Sequence, residues 1–155
     1  MNNLQITISN LQKIQKELPL LADKIPSIRE EFTMRQFGCY KGSSVDKTVC
    51  KTYGCGLGNA SRLFDISKKE YYGKWGFDYK LFSKYILPSI SNSWSATNSL
   101  WQYLFASEWG IDSSNYKSFE DFIKRVDNVI TLLKEKGAVS VKFSPQDSNN
   151  FTILN

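Results

Sequence analysis

Cys50 and Cys55 are the residues whose type and spacing first invite a reaction. They open the run Cys50-Lys51-Thr52-Tyr53-Gly54-Cys55-Gly56-Leu57-Gly58-Asn59-Ala60. The chain contains no histidine. That absence removes imidazole general bases, Cys-His and Ser-His-Asp nucleophile systems, and imidazole metal ligands. A structural zinc site needs about four thiolate, imidazole or carboxylate ligands. Cys39 is the one further sulfur here, and the Cys-x4-Cys spacing lies at the wide limit. No metal or cofactor is therefore expected.

A thiolate nucleophile would need a helix N-terminus and Lys47 or Lys51 to hold its charge, with Lys, Tyr or a carboxylate as base. The residues fit a plainer reading better. Cys55, between Gly54 and Gly56, is a small buried side chain in a tight helix contact. Cys50 and Thr52 shape the turn entering that helix, the Thr52 hydroxyl bonding to backbone. Gly54 and Gly58 lie four apart and share a face that a neighbouring backbone can approach. Each glycine costs about 1 kcal/mol of helix propensity, which packing must offset. Cys50, Thr52, Gly54, Cys55, Gly58 and Ala60 are thus expected to form a structural core motif, and no catalytic residue is assigned.

A second pattern runs from Lys68 to Tyr85. Lys68, Lys69, Lys74, Lys80 and Lys84 alternate with Tyr71, Tyr72, Trp75, Phe77, Tyr79, Phe82 and Tyr85. Rings beside cations are how single-stranded nucleic acid is gripped. Lys68, Lys69, Tyr72, Lys74, Trp75 and Lys80 are the candidate binding residues. Asp65, Glu70 and Asp78 dilute the charge, and about half of the rings are needed for a core. The pairs Glu30-Glu31 and Glu120-Asp121 are adjacent, so on a helix they diverge and make no acid-base couple. Gly56-x-Gly58 lacks the lysine and hydroxyl of a phosphate loop.

The elements that position these residues follow from periodicity. Leu4, Ile8, Leu11, Ile14 and Leu18 predict a first helix, with Ser9 and Asn10 as capping side chains near its start, Pro19 as a possible break and Pro26 as a boundary. Phe32 to Phe37 alternates as a short strand, and Gly42-Ser43-Ser44 reads as a loop. A buried helix is expected over Thr52 to Phe64, and a loop or tight ribbon over Tyr71 to Phe77. Asp78 then caps a short helix that turns Phe77, Leu81, Phe82 and Tyr85 inward and ends at Pro88. A polar loop spans Ser89 to Ser95. Leu100, Trp101, Leu104 and Phe105 mark a helix closing near Gly110.

The strongest periodicity predicts a helix over Phe119 to Lys136. Ser118 and Asp121 form a relative of the capping box. Phe119, Phe122, Ile123, Val126, Ile130 and Leu133 make the apolar stripe, and Gly137 is the stop. Val139 to Phe143 reads as a strand that Phe151 to Leu154 pairs across Pro145 to Asn150. Together these give one α+β domain over residues 1–155, mainly helical with one or two short β elements, in which 138–155 is a β hairpin or tail. The Thr52 to Phe64 helix is expected at its centre, with the first and last helices around it.

Bulk composition sets the outer limits. A 155-residue chain with 41% hydrophobic residues can bury a full core, roughly 70% of its unfolded surface. The net charge of +5 and pI of about 9 permit an acidic partner without demanding one. Like charges never run five or six together, so there is no basic tail. Three cysteines cannot all pair, and Met1-Asn2-Asn3 begins neither a basic segment nor an apolar run. A reduced, cytosolic protein with free thiols and no membrane span is expected.

The ordered set of pieces resembles a family of small proteins from tailed phages and bacteria. Its pattern begins with an Asn-Leu helix, here Asn10-Leu11-Gln12-Lys13-Ile14, and a Phe-x-Met element, here Phe32-Thr33-Met34. Its hallmark, Cys-Gly-Thr-x-x-Cys-x-x-Gly-x-Ala, is matched by Cys50-Lys51-Thr52, Cys55, Gly58 and Ala60, with Lys51 in place of the usual Gly and Asn59 in place of the usual Trp. Tyr71 to Phe77, Leu104-Phe105, Trp109 and a closing helix with Arg125 complete it. The resemblance covers Leu4 to Ile130. It implies a mainly helical domain with minor β structure and carries no activity, substrate or cofactor.

The expectation is a non-enzymatic accessory protein of phage type that binds a host protein or small ligand in the host cytoplasm. Nucleic-acid or nucleotide binding through the Lys68 to Tyr85 face is one alternative, and a cysteine-dependent enzyme is another.

Overall fold

The computed structural model describes residues 2–32, 56–74, 76–90, 100–105, 118–137, 140–144 and 147–154. Among them are six α-helices and two small antiparallel ribbons, so the domain is mainly helical.

Helix α1 (Asn3–Lys24) begins about two turns earlier than the capping residues at Ser9 and Asn10 would place it. Asn2 is the N-cap, accepting from the Gln5 amide, while the Gln5 side chain accepts from the Asn2 amide. This reciprocal pairing satisfies two orphan donors and outcompetes a later start. The stripe behaves as predicted. Leu11, Ile14 and Leu18 are buried, Leu4 and Ile8 half-buried.

Pro19 does not break the helix. It lies inside α1, flanked by buried Leu18 and Ala22. An interior proline costs about 3 kcal/mol, and full burial of one leucine returns about 1.5–3 kcal/mol, so packing on both sides carries the helix through. Pro26 does mark the end. Ile25 leaves the helical region at φ −126° and ψ 83°, as a proline disfavours helical backbone in the residue before it, and the single turn α2 (Ser27–Glu30) follows.

Helix α6 (Phe119–Lys136) starts and stops where the sequence placed it. Ser118 and Asp121 form a reciprocal capping box, and Gly137 takes φ +75° at the C-cap. Its buried arc is wider than the predicted stripe. Arg125, Val129 and Leu132 join Phe119, Phe122, Val126, Ile130 and Leu133. The helix is therefore covered on more than one side, by α1 and by α5 (Leu100–Phe105).

The α1–α6 pair forms the main axis of the core. Gln15 Nε2 donates to Asp127 Oδ1 at 2.6 Å across it. Arg29 ties three elements at one end, donating to Asp23 at 2.8 Å and Glu120 at 3.0 Å while its guanidinium lies 5.0 Å from the Phe119 ring centre.

Phe122 is the hub where the remaining pieces meet, with Phe32 and Phe105 each 6.1 Å away between ring centres. Arg125, one turn further, is 1% exposed. Its Nη1 donates to the Tyr103 carbonyl at 2.7 Å and its guanidinium stacks 4.5 Å from the Tyr103 ring. Burial pushes its pKa down to about 10, and the neighbouring Tyr103 opposes that shift. In the sequence, Arg125 stands out only through the family resemblance. Its spacing from Phe122, Val129 and Leu132 put a cation inside the apolar stripe, which was the available signal.

Strands β3 (Ser140–Ser144) and β4 (Asp147–Leu154) form the C-terminal hairpin, with Val141 opposite Ile153 and Phe143 opposite Phe151. The pairing matches the expectation except that β4 starts at Asp147, leaving a register shift between Phe143 and Ser144. The strand expected over Phe32 to Phe37 lies, beyond Phe32, outside the described residues. So do the loop at Gly42 to Ser44, the polar segment from 91 to 95 and the stop near Gly110.

No helix among the described residues is long and apolar enough to cross a membrane.

Candidate functional site

The cysteine motif is visible from Gly56 onward. Cys50, Thr52, Gly54 and Cys55 lie outside the described residues. Gly56 to Ala60 form α3, and all five residues are buried. The α-helix does not continue to Phe64 as expected. Ser61–Leu63 tightens into a 3-10 turn, and Phe64 is extended. The Ser61 hydroxyl explains the tightening: it donates to the Gly58 carbonyl at 2.6 Å, three residues back. Asn59, where the resemblance has Trp, is fully buried and accepts from Arg62 Nε at 3.2 Å.

Gly56 faces the Phe122 ring. A Cβ built on it would overlap ring atoms Cδ1 and Cε1 and stand 2.8 Å from Cζ. The glycine is required because an aromatic face occupies the place of its side chain. Helix α3 also packs on α1, on α4 (Tyr79–Ile86) and on α5, so its five residues sit inside the helix assembly. From Gly56 to Ala60 it carries no acid, base or nucleophile. Among the described residues no group of three or more Cys, Asp or Glu gathers as a metal site.

The basic-aromatic segment folds as a 3-10 turn (Lys69–Tyr71), a ribbon of β1 (Tyr72–Gly73) and β2 (Gly76–Phe77), and helix α4 (Tyr79–Ile86). Gly76 at φ +107° makes the reversal. Asp78 fixes the junction. Its Oδ1 accepts from the Lys80 and Leu81 amides at 2.8 and 3.2 Å, and its own amide donates to the Tyr71 carbonyl at 2.8 Å.

The inner side of this unit is aromatic. Tyr71 meets Phe82 edge-on at 5.2 Å and Phe77 at 6.5 Å, while Phe82 meets Phe64 at 5.8 Å. Polar links tie α4 to the core: Trp101 Nε1 donates to Ser83 Oγ at 2.7 Å, Asn10 Nδ2 to the Ile86 carbonyl at 2.8 Å, and the Ser89 amide to Thr7 Oγ1 at 2.9 Å.

The outer side carries the predicted residues. Lys68, Lys69, Lys74, Lys80 and Lys84 are exposed, and Tyr72 is 42% exposed with its ring edge-on to Phe77 at 5.6 Å. Trp75 lies outside the described residues. Tyr85 corrects the expectation that it turns inward: it is 48% exposed and lies tilted on Tyr71 at 6.2 Å. The buried arc of α4 runs through Phe82, Ser83 and Ile86, which puts Tyr85 on its rim. The spacing Phe82 to Tyr85 hid this, because three residues apart on a helix also fits a shared inner face. Asp65 bonds the Ser67 hydroxyl at 2.6 Å and its amide at 3.0 Å, which lowers the Asp65 pKa.

No family model, curated protein or solved structure matches the chain.

Proposed function

We propose that this protein is a small non-catalytic accessory protein of phage type that works by binding, with the outer side of Lys68 to Tyr85 as its contact face, in the cytoplasm of a host cell. The observation that carries the reading is the exposure of Tyr72 and Tyr85 on a unit whose Tyr71, Phe77 and Phe82 rings are buried. Large rings held half out of water on a fixed support are the anchors that binding surfaces use. The support is fixed here because Phe82, Ser83 and Ile86 are buried beneath it.

Two further observations favour binding over turnover. The chain has no histidine, and Gly56 is filled by the Phe122 ring. The resemblance to small phage and bacterial proteins supports the accessory role.

A photoreactive amino acid placed at Tyr72 or Tyr85, in cells that make the protein, tests the reading. Adducts are expected from these two positions and not from exposed Lys16 or Glu135 on α1 and α6. Equal adducts at all four positions, or none at Tyr72 and Tyr85, would remove the proposed face.

A further inference from the structure

We infer that the contact face takes single-stranded nucleic acid, its bases stacking on Tyr72 and Tyr85 and its phosphates meeting the exposed lysines. The inference rests on the binding reading above and names the partner of that face.

The chemistry of the face favours this partner over an acidic polypeptide. Unpaired bases present flat π-surfaces, and two half-exposed tyrosines offer matching platforms at low entropic cost because Phe77 and Tyr71 already hold them from behind. A carboxylate side chain gains little from a solvated lysine and makes no use of the rings. A phosphate backbone gains by releasing its counterions, and lysine serves it as a point charge without demanding a fixed geometry.

Charge placement agrees. Lys68 and Lys69 open the 3-10 turn that packs on α4, and Lys80 and Lys84 stand one helical turn apart on its outer side. Of the carboxylates in or beside the segment, Asp78 directs an oxygen to the α4 amides and Asp65 directs one to Ser67 while lying near Lys68. Glu70 is exposed on the 3-10 turn, so the five lysines outnumber the carboxylates. Duplex nucleic acid fits less well, since its bases are already stacked on each other and cannot reach the rings.

The test is fluorescence anisotropy with a labelled oligo-dT 20-mer, the corresponding RNA, a duplex of equal length and a labelled polyglutamate. The wild-type protein should bind the single strands in preference to the duplex. Its affinity should fall with salt at a log–log slope of roughly −2 to −3.5, the value for three to five phosphates neutralised. Tyr72→Ala and Tyr85→Ala should each weaken binding roughly 5- to 100-fold with an unchanged slope, and Tyr72→Phe and Tyr85→Phe should restore it. Lys68→Ala with Lys84→Ala should make the slope shallower.

Circular dichroism of each variant separates lost binding from lost fold, and the phenylalanine variants decide the question if alanine unfolds the ribbon. No single-strand binding at low salt, or a preference for duplex, would overturn the inference. So would polyglutamate bound as tightly as oligo-dT. Polyglutamate binding lost in the same tyrosine variants would leave the face standing with an acidic protein as its partner. Tyrosine variants that bind every ligand like the wild type would remove both face and partner.

Discussion

The guanidinium of Arg125 on α6 lies 4.5 Å from the ring centre of Tyr103 on α5 and donates Nη1 to that residue's own carbonyl at 2.7 Å. Asn128, one turn on, donates to the Tyr103 hydroxyl at 3.0 Å. Two neighbouring residues of α6 thus hold the backbone and the tip of one aromatic side chain. Arg125 reaches that carbonyl from a neighbouring helix, which ties α6 to the backbone of α5.

Arg125→Ala should therefore destabilise the fold by about 2–4 kcal/mol, through a cavity and the loss of the charge-assisted hydrogen bond to the Tyr103 carbonyl. Urea unfolding measures it. Lysine at this position should not restore stability, because a point charge cannot stack as the planar group does.

The pH dependence of the same residue has a definite sign. Folding lowers the Arg125 pKa to about 10, below its ordinary value. Both states are charged below about pH 10, so Arg125 contributes no pH dependence there. Above it the folded state releases its proton first and the unfolded state binds more, so the contribution of Arg125 to stability rises with pH. The stability difference between the wild type and Arg125→Met should be constant from pH 6 to 9 and move toward the wild type above about pH 10. A difference that changes between pH 6 and 8 would contradict this.

Pro19→Ala should raise stability. Proline at an interior position removes the amide that would bond the Gln15 carbonyl, at a cost of about 3 kcal/mol, while its stiffening of the unfolded chain returns about 0.4–1 kcal/mol. The net gain expected in thermal or urea unfolding is about 2–2.6 kcal/mol. No gain would mean that the proline relieves a clash alanine cannot.

Asp78→Ala should cost about 0.5–2 kcal/mol, the usual worth of an N-cap. It should also speed amide exchange in the first turn of α4, since the Lys80 and Leu81 amides lose their acceptor. Asp78→Asn keeps the acceptor oxygen and should retain most of the stability.

How far the sequence carried these conclusions depended on the reach of each signal. Ser118, Asp121 and Gly137 bound α6 correctly because capping is local chemistry confined to four residues. Asp78 was legible for the same reason. Pro19 misled because its penalty is local while the compensating burial of Leu18 and Ala22 is tertiary. Tyr85 misled because spacing alone does not say how wide a helix's buried arc is. Of the residues named for the proposed face, the lysines and Tyr72 are exposed. Arg125 escaped because a charge inside an apolar stripe makes sense only once its partner, Tyr103, is brought up by the fold. Spacing points to Gly54 and Gly58 as the packing glycines, whereas the ring of Phe122, far along the chain, demands Gly56.

The non-catalytic reading makes its own prediction for Cys50 and Cys55. Without an activating base, both thiols should titrate near or above 8.5, the range of unperturbed cysteine, or stay inert to reagent. Thiolate absorbance of single-cysteine variants against pH measures this. A thiol ionising below about pH 7 would revive cysteine-dependent chemistry.

The account stands most directly on Gly56 against Phe122, and a double-mutant cycle tests it. Helix propensity alone would make Gly56→Ala more stable by up to about 1 kcal/mol. Packing against the Phe122 ring should instead make it less stable by about 1–3 kcal/mol, with much of the loss recovered when Phe122→Leu is added. Gly56→Ala at or above wild-type stability, with no coupling to Phe122, would contradict the claim that this motif is built for close packing.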